Sequence, residues 1–372
     1  MAGKKLGLIV NPIAGIGGRV GLKGSDGAEV QRKALELGAV PRSLDRATQA
    51  LSRIEPSDDL EIITYPGEMG EDAARACGLG PKVIGSIELG ETTADDTVRA
   101  AREMEELNVD LLLFAGGDGT ARDICKAVGH RPPVLGIPSG VKIHSAVFGA
   151  SPRRAGDLAA SYLVGSVSRT REAEVMDIDE EAVRRGVVSA KLYGYLRVPF
   201  RRRLLQGLKT PSRPGEEAAK AAIAADLVTT MENGWLYIVG PGTTTRAIAS
   251  RLALDKTLIG VDVVADGCLV AKDVNETQLL HLLKGRRAKI VVTPIGGQGY
   301  LFGRGNQQIS PAVIQKVGRE NIIVVATTDK IHSLRGRPLL VDTGDRQVDE
   351  MLAGHIRVVT GRGEQIVYRV SR

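Results

Sequence analysis

The chain has 372 residues, long enough for two domains, and a mass of 39.5 kDa. Hydrophobic residues make up 43% and charged residues 25%, ordinary proportions for a globular protein that exclude a disordered, collagen-like or disulfide-scaffold chain. The net charge of +6 is modest, and aromatic residues are only 3% of the chain. Because surfaces that bind nucleic acid interleave stacking aromatic groups with basic ones, we expect no nucleic-acid partner.

Cysteine content and hydropathy indicate the compartment. The three cysteines, Cys77, Cys125 and Cys268, are scattered and odd in number, so no disulfide framework is predicted. No apolar run reaches the roughly 18 residues that a membrane-spanning helix needs. The first residues turn polar too soon for a secretory signal. We therefore expect a cytoplasmic protein with no membrane partner.

Short apolar runs alternate with helical patterns over the first 150 residues. The predicted strands lie at 6–10, 60–64, 82–84, 110–114 and 134–137. The clearest predicted helix, at 94–107, follows two threonines that can cap its first turn. Strand–helix alternation at this spacing predicts a doubly wound parallel sheet.

Beyond about residue 165, longer β-prone stretches follow one another with few helices. The last of them, at 355–370, resembles a hairpin around Gly361 and Gly363. The polar, glycine-containing residues 149–168 are the preferred boundary. We therefore predict an α/β protein with an N-terminal doubly wound domain, residues 1–150, and a mainly antiparallel α+β domain, residues 151–372. The C-terminal segment could return to pack on the first domain.

The sharpest local feature follows the most apolar predicted strand. Residues 116–120 read Gly-Gly-Asp-Gly-Thr and open a helical pattern. Such a turn offers backbone N–H groups to phosphate at a helix N-terminus, with no Cβ in the way. Asp118 could bind Mg²⁺ or take a proton from an attacking hydroxyl, as phosphoryl transfer requires. We interpret Asp118 as catalytic and metal-binding, although a tight turn without a ligand is the alternative. The proposed phosphate-binding residues of this turn are Gly116, Gly117, Gly119 and Thr120.

A second glycine-containing loop follows the first predicted strand. Residues 11–18 read Asn-Pro-Ile-Ala-Gly-Ile-Gly-Gly, which has neither the dinucleotide fingerprint nor a Walker A pattern. In a doubly wound sheet, loops at the carboxyl ends of strands line the ligand crevice. Asn11 could order this loop or reach a nucleotide, and Gly15, Gly17 and Gly18 permit close backbone approach.

Taken together, the two loops resemble the superfamily of NAD kinases, diacylglycerol and sphingosine kinases and 6-phosphofructokinases. Residues 136–142 lie where NAD kinases have a second strand-end loop. Residues 239–245 resemble their Thr-Pro-Thr-Gly-Ser-Thr loop, which handles the dinucleotide and donor. Residues 294–311 resemble a subgroup described as ATP-NAD kinase-like, which includes a protein associated with acetoin catabolism. The resemblance covers nearly the whole chain.

This resemblance implies a kinase that moves a phosphoryl group from ATP, or inorganic polyphosphate, to the 2′-hydroxyl of the adenosine ribose of NAD. The implied product is NADP, the cofactor is Mg²⁺, and a homo-oligomer, dimer or tetramer, is expected. From the residues alone, the three hydroxyls of Thr243, Thr244 and Thr245 offer an anion site before a helix, with a helix cap as the alternative. The nucleotide-binding residues implied in the later loops are Gly140, Lys142, Gly242, Thr243, Thr244 and Thr245.

One departure from the family pattern concerns the acceptor. NAD kinases typically carry an Asn-Glu or Asn-Asp pair that contacts NAD, whereas residues 172–179 are acidic and contain no Asn. Two alternatives therefore stay open: a kinase of the same fold acting on another small hydroxyl compound or a lipid, and a non-catalytic nucleotide-binding regulator. His144, just after residues 136–142, could touch substrate or be a helix histidine whose hydrogen bonds are satisfied within the protein.

Overall fold

The computed structural model describes residues 3–22, 28–128, 131–140, 143–178, 190–201, 204–205 and 216–372. The chain forms two compact units. The first consists of Met1–Ile16 and Gly24–Leu208, and the second of Gly17–Lys23 and Lys209–Arg372. Cys77, Cys125 and Cys268 are free thiols, so no disulfide braces either unit.

A five-stranded sheet with the order β3-β2-β1-β4-β5 forms the centre of the first unit. All of its neighbouring strands are parallel. Every residue of β4 and β5 is buried, as in strands covered by helices on both faces. The predicted parallel sheet is confirmed. Its strands are β1 (Lys4–Val10), β2 (Leu60–Thr64), β3 (Lys82–Val83), β4 (Leu111–Gly116) and β5 (Val134–Pro138).

The predicted helix of the first half is α4 (Ala94–Glu106), which begins after Thr93. The Thr93 N–H and hydroxyl both donate to the Asp96 carboxylate, at 2.8 and 2.9 Å, which fixes the first turn.

No helix in the described parts of the chain is long and apolar enough to cross a membrane. The helices of this unit are α1 (Ala28–Glu36), α2 (Ser43–Leu51), α3 (Glu71–Ala76), α4 (Ala94–Glu106), α5 (Asp118–Val128) and α6 (Pro152–Leu163), with a 3₁₀ turn at Gly67–Met69.

An antiparallel pair, β6 (Thr170–Ile178) and β7 (Ala190–Pro199), completes the first unit. Side chains of α6, β6 and β7 enter the same apolar core as the five-stranded sheet. This shared core is why the first unit extends to Leu208, past the boundary at 150 expected from the sequence. The buried residues concerned include Ala155, Leu158, Ala173, Val175, Leu196 and Val198.

The second unit contains a nine-stranded sheet with the order β10-β9-β8-β11-β13-β15-β16-β14-β12. Five of its eight pairings are parallel and three are antiparallel. The α/β class is confirmed, but the expectation of a mainly antiparallel second domain is corrected. The strands are β8 (Leu236–Val239), β9 (Asp262–Ala265), β10 (Cys268–Ala271), β11 (Ala288–Val292), β12 (Tyr300–Phe302), β13 (Ile322–Val325), β14 (Leu339–Val341), β15 (Gly354–Gly361) and β16 (Glu364–Ser371).

Short helices supply the crossovers that parallel pairing requires. Four of them are only six or seven residues long, too short to show clear helical periodicity in the sequence. The predicted C-terminal hairpin is confirmed as β15 and β16, which pair within the second sheet. The helices are α7 (Glu216–Thr229), α8 (Thr243–Arg251), α9 (Glu276–Leu282), α10 (Pro311–Val317), α11 (Thr328–Ser333) and α12 (Arg346–Leu352), with a 3₁₀ turn at Arg319–Asn321.

A buried ion pair braces the segment before β9. The Lys256 ammonium lies 3.7 Å from the Asp262 carboxylate, with the side chains 1% and 0% exposed. Asp262 also accepts the N–H groups of Thr257 and Asp273, each at 2.7 Å, so its charge is well compensated. Burial lowers the pKa of Lys256 to about 8.

The depressed pKa of Lys256 predicts a stability that rises with pH. An unfolded lysine titrates near 10.5, so between about pH 8 and 10.5 the unfolded chain binds more protons than the folded one. The gain in the free energy of unfolding is complete above pH 10.5, absent below pH 8, and about 3 kcal/mol in size. Urea unfolding of the wild type and of Lys256→Met at both pH limits isolates the contribution of Lys256, because the contributions of the other titrating groups cancel when the two proteins are compared. Equal pH dependences of the two proteins would contradict the prediction.

Candidate functional site

The loops that follow β1, β4 and β5 meet at one edge of the first sheet. The three strands are parallel neighbours, so their carboxyl ends lie along the same edge. The Asn11 N–H donates to the carbonyl of Ala115 at 2.9 Å. The N–H groups of Ser139 and Gly140 both donate to the carbonyl of Gly116, at 2.9 and 3.1 Å. These bonds bring the three loops into one cluster.

Side chains join the first two of these loops. The Asn11 amide nitrogen donates to the Thr120 hydroxyl at 3.0 Å, and its oxygen accepts the Ile13 N–H at 3.3 Å. Thr120 lies in the first turn of α5, and a Cβ on Gly116 would come within 2.5 Å of its side chain. Asn11 therefore orders its own loop and fixes the Thr120 hydroxyl, which is one of the roles expected for it.

Close backbone packing accounts for three of the glycines in this cluster. A Cβ on Gly15, where φ is +78°, would lie 1.9 Å from the carbonyl oxygen of Ser139. A Cβ on Gly117 would lie 3.1 Å from the Cα of Gly140, and one on Gly140 would lie 2.7 Å from the Cα of Gly117. Loop packing alone thus requires glycine at positions 15 and 140, and makes a Cβ tight at position 117, with or without a bound phosphate.

Replacing Gly15 by Ala tests this packing. The added methyl group would meet a backbone carbonyl that cannot rotate away, so we expect a loss of about 3 kcal/mol or more in the free energy of unfolding. Gly38→Ala is the matched control, because Gly38 has a φ of +80° and nothing within 4 Å of a Cβ. It should cost only the backbone strain, about 1 kcal/mol. Denaturant unfolding compares the two variants, and equal losses would show that the Ser139 contact is unimportant.

The carboxylate of Asp118, the first residue of α5, turns into the protein and is only 5% exposed. Its Oδ2 accepts the backbone N–H of His144 at 2.7 Å and lies 3.2 Å from Nδ1 of the His144 ring. Its Oδ1 accepts the N–H of Ser145 at 3.0 Å. The structure therefore pairs Asp118 with His144, two residues that the sequence singled out separately.

Ser145, which the sequence reading missed, fixes the same segment to β6. Its hydroxyl donates to the Met176 carbonyl and accepts the Met176 N–H, both at 2.9 Å. The Ala146 N–H donates to the Glu174 carbonyl at 2.9 Å. Asp118 and β6 thus hold the backbone around His144 between them, which leaves it little freedom to move.

A charged pair lies one helical turn beyond Asp118. Arg122 donates to the Asp177 carboxylate at 2.8 Å, and its guanidinium lies 5.6 Å from the Tyr193 ring centroid. Residues 118 and 122 are four apart, so they share a face of α5. Asp177 belongs to the acidic stretch 172–179, and the structure engages it with this arginine.

The described residues contain no cluster of three or more His, Cys, Asp or Glu side chains that could hold a metal ion. Asp118 was expected to bind Mg²⁺, yet both of its oxygens already accept N–H groups and the side chain is buried. Mg²⁺ dehydrates reluctantly and prefers open carboxylates together with substrate phosphates. The arrangement of Asp118 does not fit a direct Mg²⁺ ligand.

Residues 242–245 lie in the second unit, where α8 begins after β8. The Thr245 hydroxyl donates to the carbonyls of Gly240 and Gly242, at 2.7 and 3.0 Å. The side chains of Thr244 and Thr245 are buried, whereas that of Thr243 is exposed. Of the three threonine hydroxyls noted in the sequence, two are therefore engaged within the protein, that of Thr245 by its own loop and that of Thr244 by Lys330.

The sequence reading also missed Lys330. Its ammonium donates to the hydroxyls of Thr244 and Thr293, at 3.1 and 3.0 Å. These three residues follow β8, β11 and β13, which are parallel neighbours, so they share one edge of the second sheet. Thr244 and Thr293 lie 86 and 37 residues from Lys330 along the chain, and no local pattern connects them.

The remaining candidate residues are divided between the units. Gly17 and Gly18 belong to the second unit, where a Cβ on Gly18 would lie 3.1 Å from the Gln307 side chain. Gly119 lies in the first turn of α5, beside Asp118. Lys142 falls outside the described residues.

Models of known protein families match most of the chain. Residues 6–167 match the family model of the ATP-NAD kinase N-terminal domain, and residues 232–370 match that of the ATP-NAD kinase C-terminal domain. No curated protein matches significantly. A solved structure from Bacillus anthracis str. Sterne, proposed to be a diacylglycerol kinase, is 17% identical, with a TM-score of 0.24. The match covers 64% of this chain and 59% of that one.

Proposed function

Since the chain belongs to the ATP-NAD kinase family, we propose that this kinase moves a phosphoryl group from ATP, or inorganic polyphosphate, to the 2′-hydroxyl of the adenosine ribose of NAD, giving NADP. The observation that carries the proposal is the place of Asp118. It is the first residue of α5, and it lies where the loops after β1, β4 and β5 meet. Ligands of doubly wound sheets bind at this edge.

In this proposal the first turn of α5 holds the donor phosphates. N–H groups of a first helical turn have no partner within the helix and favour an anion. The Thr120 hydroxyl, fixed by Asn11, adds a donor beside them. Because the surrounding loops are packed backbone to backbone, these groups need little reorganisation during the reaction. Mg²⁺ would neutralise phosphate charge and would be held mainly by the donor's own oxygens.

Asp118 acts in this proposal on the proton of the acceptor hydroxyl, directly or through His144. A carboxylate beside the phosphate-binding turn is unnecessary for binding phosphate, since like charges repel. Its position therefore favours a catalytic protein over a nucleotide-binding regulator. Proton removal by a positioned side chain contributes about 10² to 10⁴ in rate.

Asp118→Asn tests this role. The amide keeps the size of the side chain but places an NH₂ group against one of the N–H donors of His144 or Ser145. We expect turnover to fall by about 10² or more, while ATP affinity, which depends on α5, changes little. Steady-state kinetics and calorimetry measure the two quantities. Asp95→Asn, an exposed first-turn residue of α4, is the matched control. Full turnover in Asp118→Asn would remove Asp118 from the mechanism.

A kinase acting on another small hydroxyl compound is the second candidate function. The observation that favours it is Asp177, which is bound by Arg122 in the stretch where NAD kinases typically carry an Asn. Residues 172–178 of this stretch form part of β6. With no amide there, the contacts that would select NAD differ from those of the family pattern.

Whether NAD or another hydroxyl compound is the acceptor is tested with NAD and with an analogue that lacks its 2′-hydroxyl. If NAD is the acceptor, NADP should appear in an assay coupled to an NADP-specific dehydrogenase. An NAD analogue lacking only that hydroxyl should not react and should bind more weakly by about 1 to 3 kcal/mol, because polar groups of the site lose their partner.

The opposite outcome is equally specific. A panel of nucleosides, small keto-alcohols and lipids is incubated with the protein, ATP and Mg²⁺, and mass spectrometry reads the gain of one phosphate. If one of these compounds gains a phosphate while NAD gives no NADP, the kinase chemistry stands and NAD is excluded as the acceptor.

A further inference from the structure

We infer that His144 is the catalytic residue that accepts the proton of the acceptor hydroxyl, and that Asp118 is the positioning residue that holds it. This inference deepens the proposed kinase function and rests on it. It starts from the pairing of the two side chains, in which Nδ1 of His144 lies 3.2 Å from Oδ2 of Asp118.

The pairing determines which ring nitrogen is basic. With its proton on Nδ1 directed at the carboxylate, the neutral imidazole carries its lone pair on Nε2. Nε2 lies across the ring from Nδ1, away from Asp118. Within the part of the chain that the structure describes, Nε2 makes no hydrogen bond. His144 therefore has a basic nitrogen available, and a carboxylate that fixes its tautomer.

Asp118 is poorly placed to take the proton itself. Its two oxygens accept the N–H groups of His144 and Ser145, at 2.7 and 3.0 Å. Its side chain is almost wholly buried, as is that of His144, so the difference between the two lies in these bonds and not in burial. Oδ1 keeps a second lone pair, but turning the buried carboxylate outward to meet a hydroxyl would break these bonds, at about 1 to 3 kcal/mol for each N–H group left without a partner.

The same contacts suit Asp118 as a support. When His144 takes a proton it becomes a cation, and the adjacent carboxylate stabilises that charge in a buried setting. The His144 backbone is also held, because its N–H binds Asp118 and the next residue, Ser145, bonds to Met176. Since Asp118 opens α5, the ring lies beside the turn proposed to hold the donor phosphates.

The chemical step balances without any further group. The acceptor oxygen forms a bond to the γ-phosphorus while its proton passes to Nε2 of His144. The bond between the γ-phosphorus and the bridging oxygen breaks, and its electron pair leaves with ADP. His144 then releases its proton to solvent. With polyphosphate as donor, the shortened chain is the leaving group.

The test replaces the imidazole and then returns it from solution. His144→Gly keeps the backbone N–H that Asp118 binds but removes the base, so turnover should fall by about 10² or more. Free imidazoles should restore part of the rate, and the restored rate should rise with the basicity of the imidazole. Adding Asp118→Asn to His144→Gly should cost less than about threefold more, because the two residues act as a unit. His355→Gln, an exposed histidine of β15, is the matched control.

Each outcome decides the question. Wild-type turnover is measured first, on NAD and on the panel, and its complete absence overturns the kinase function and this inference together. With an active wild type, full turnover of folded His144→Gly overturns the inference alone. The inference is also overturned if the turnover lost in His144→Gly is restored by no imidazole and is reduced several-fold further by adding Asp118→Asn. Should His144→Gly fail to fold, His144→Gln replaces it, and its full turnover would likewise overturn the inference.

Discussion

The loops after β1, β4 and β5 approach so closely that a Cβ has no room where they touch. A methyl group on Gly15 would overlap the Ser139 carbonyl, and Gly117 faces Gly140 at backbone distance. This contact follows from parallel pairing, which places the three carboxyl ends at one edge. The remaining features of the site depend on it. Only with the loops so packed can Asn11 reach Thr120, and the segment after β5 is then also tied to the first residue of α5.

How much the sequence predicts depends on how local the signal is. The apolar run of β4 and the glycine turn after it are adjacent in the chain, so the parallel sheet and Asp118 could both be predicted. Ser145 and Lys330 could not. Their bonds join residues 27 and 86 positions apart, to Asp118 and Thr244 respectively, and no spacing rule links such partners. Single-sequence patterns find residues next to strands and helix starts, but they do not find which distant residues those elements bring together.

Strand direction and unit boundaries escape the sequence for a related reason. An alternating apolar pattern indicates that a segment is a strand, but it does not indicate whether the neighbouring strand in the sheet runs parallel or antiparallel to it. In the second sheet, crossovers through helices of six or seven residues make most pairings parallel. The polar stretch near residue 150 resembles a linker, yet α6, β6 and β7 after it bury their apolar faces in the first core. Shared burial, and not local composition, sets the boundary of the first unit.

The glycines and Asp118 bear on the proposed phosphate site in different ways. Loop packing alone requires Gly15 and Gly140, so their presence is not independent evidence for phosphate. Asp118 is not explained in this way, because an uncharged residue could close the same turn, and a buried charge is costly unless it is well bonded. Two backbone N–H groups and one imidazole meet that requirement. Of these three partners only the imidazole has a second nitrogen with which to meet a substrate. In the proposed reaction, the bonds that hold Asp118 in place thus make its chemistry depend on His144.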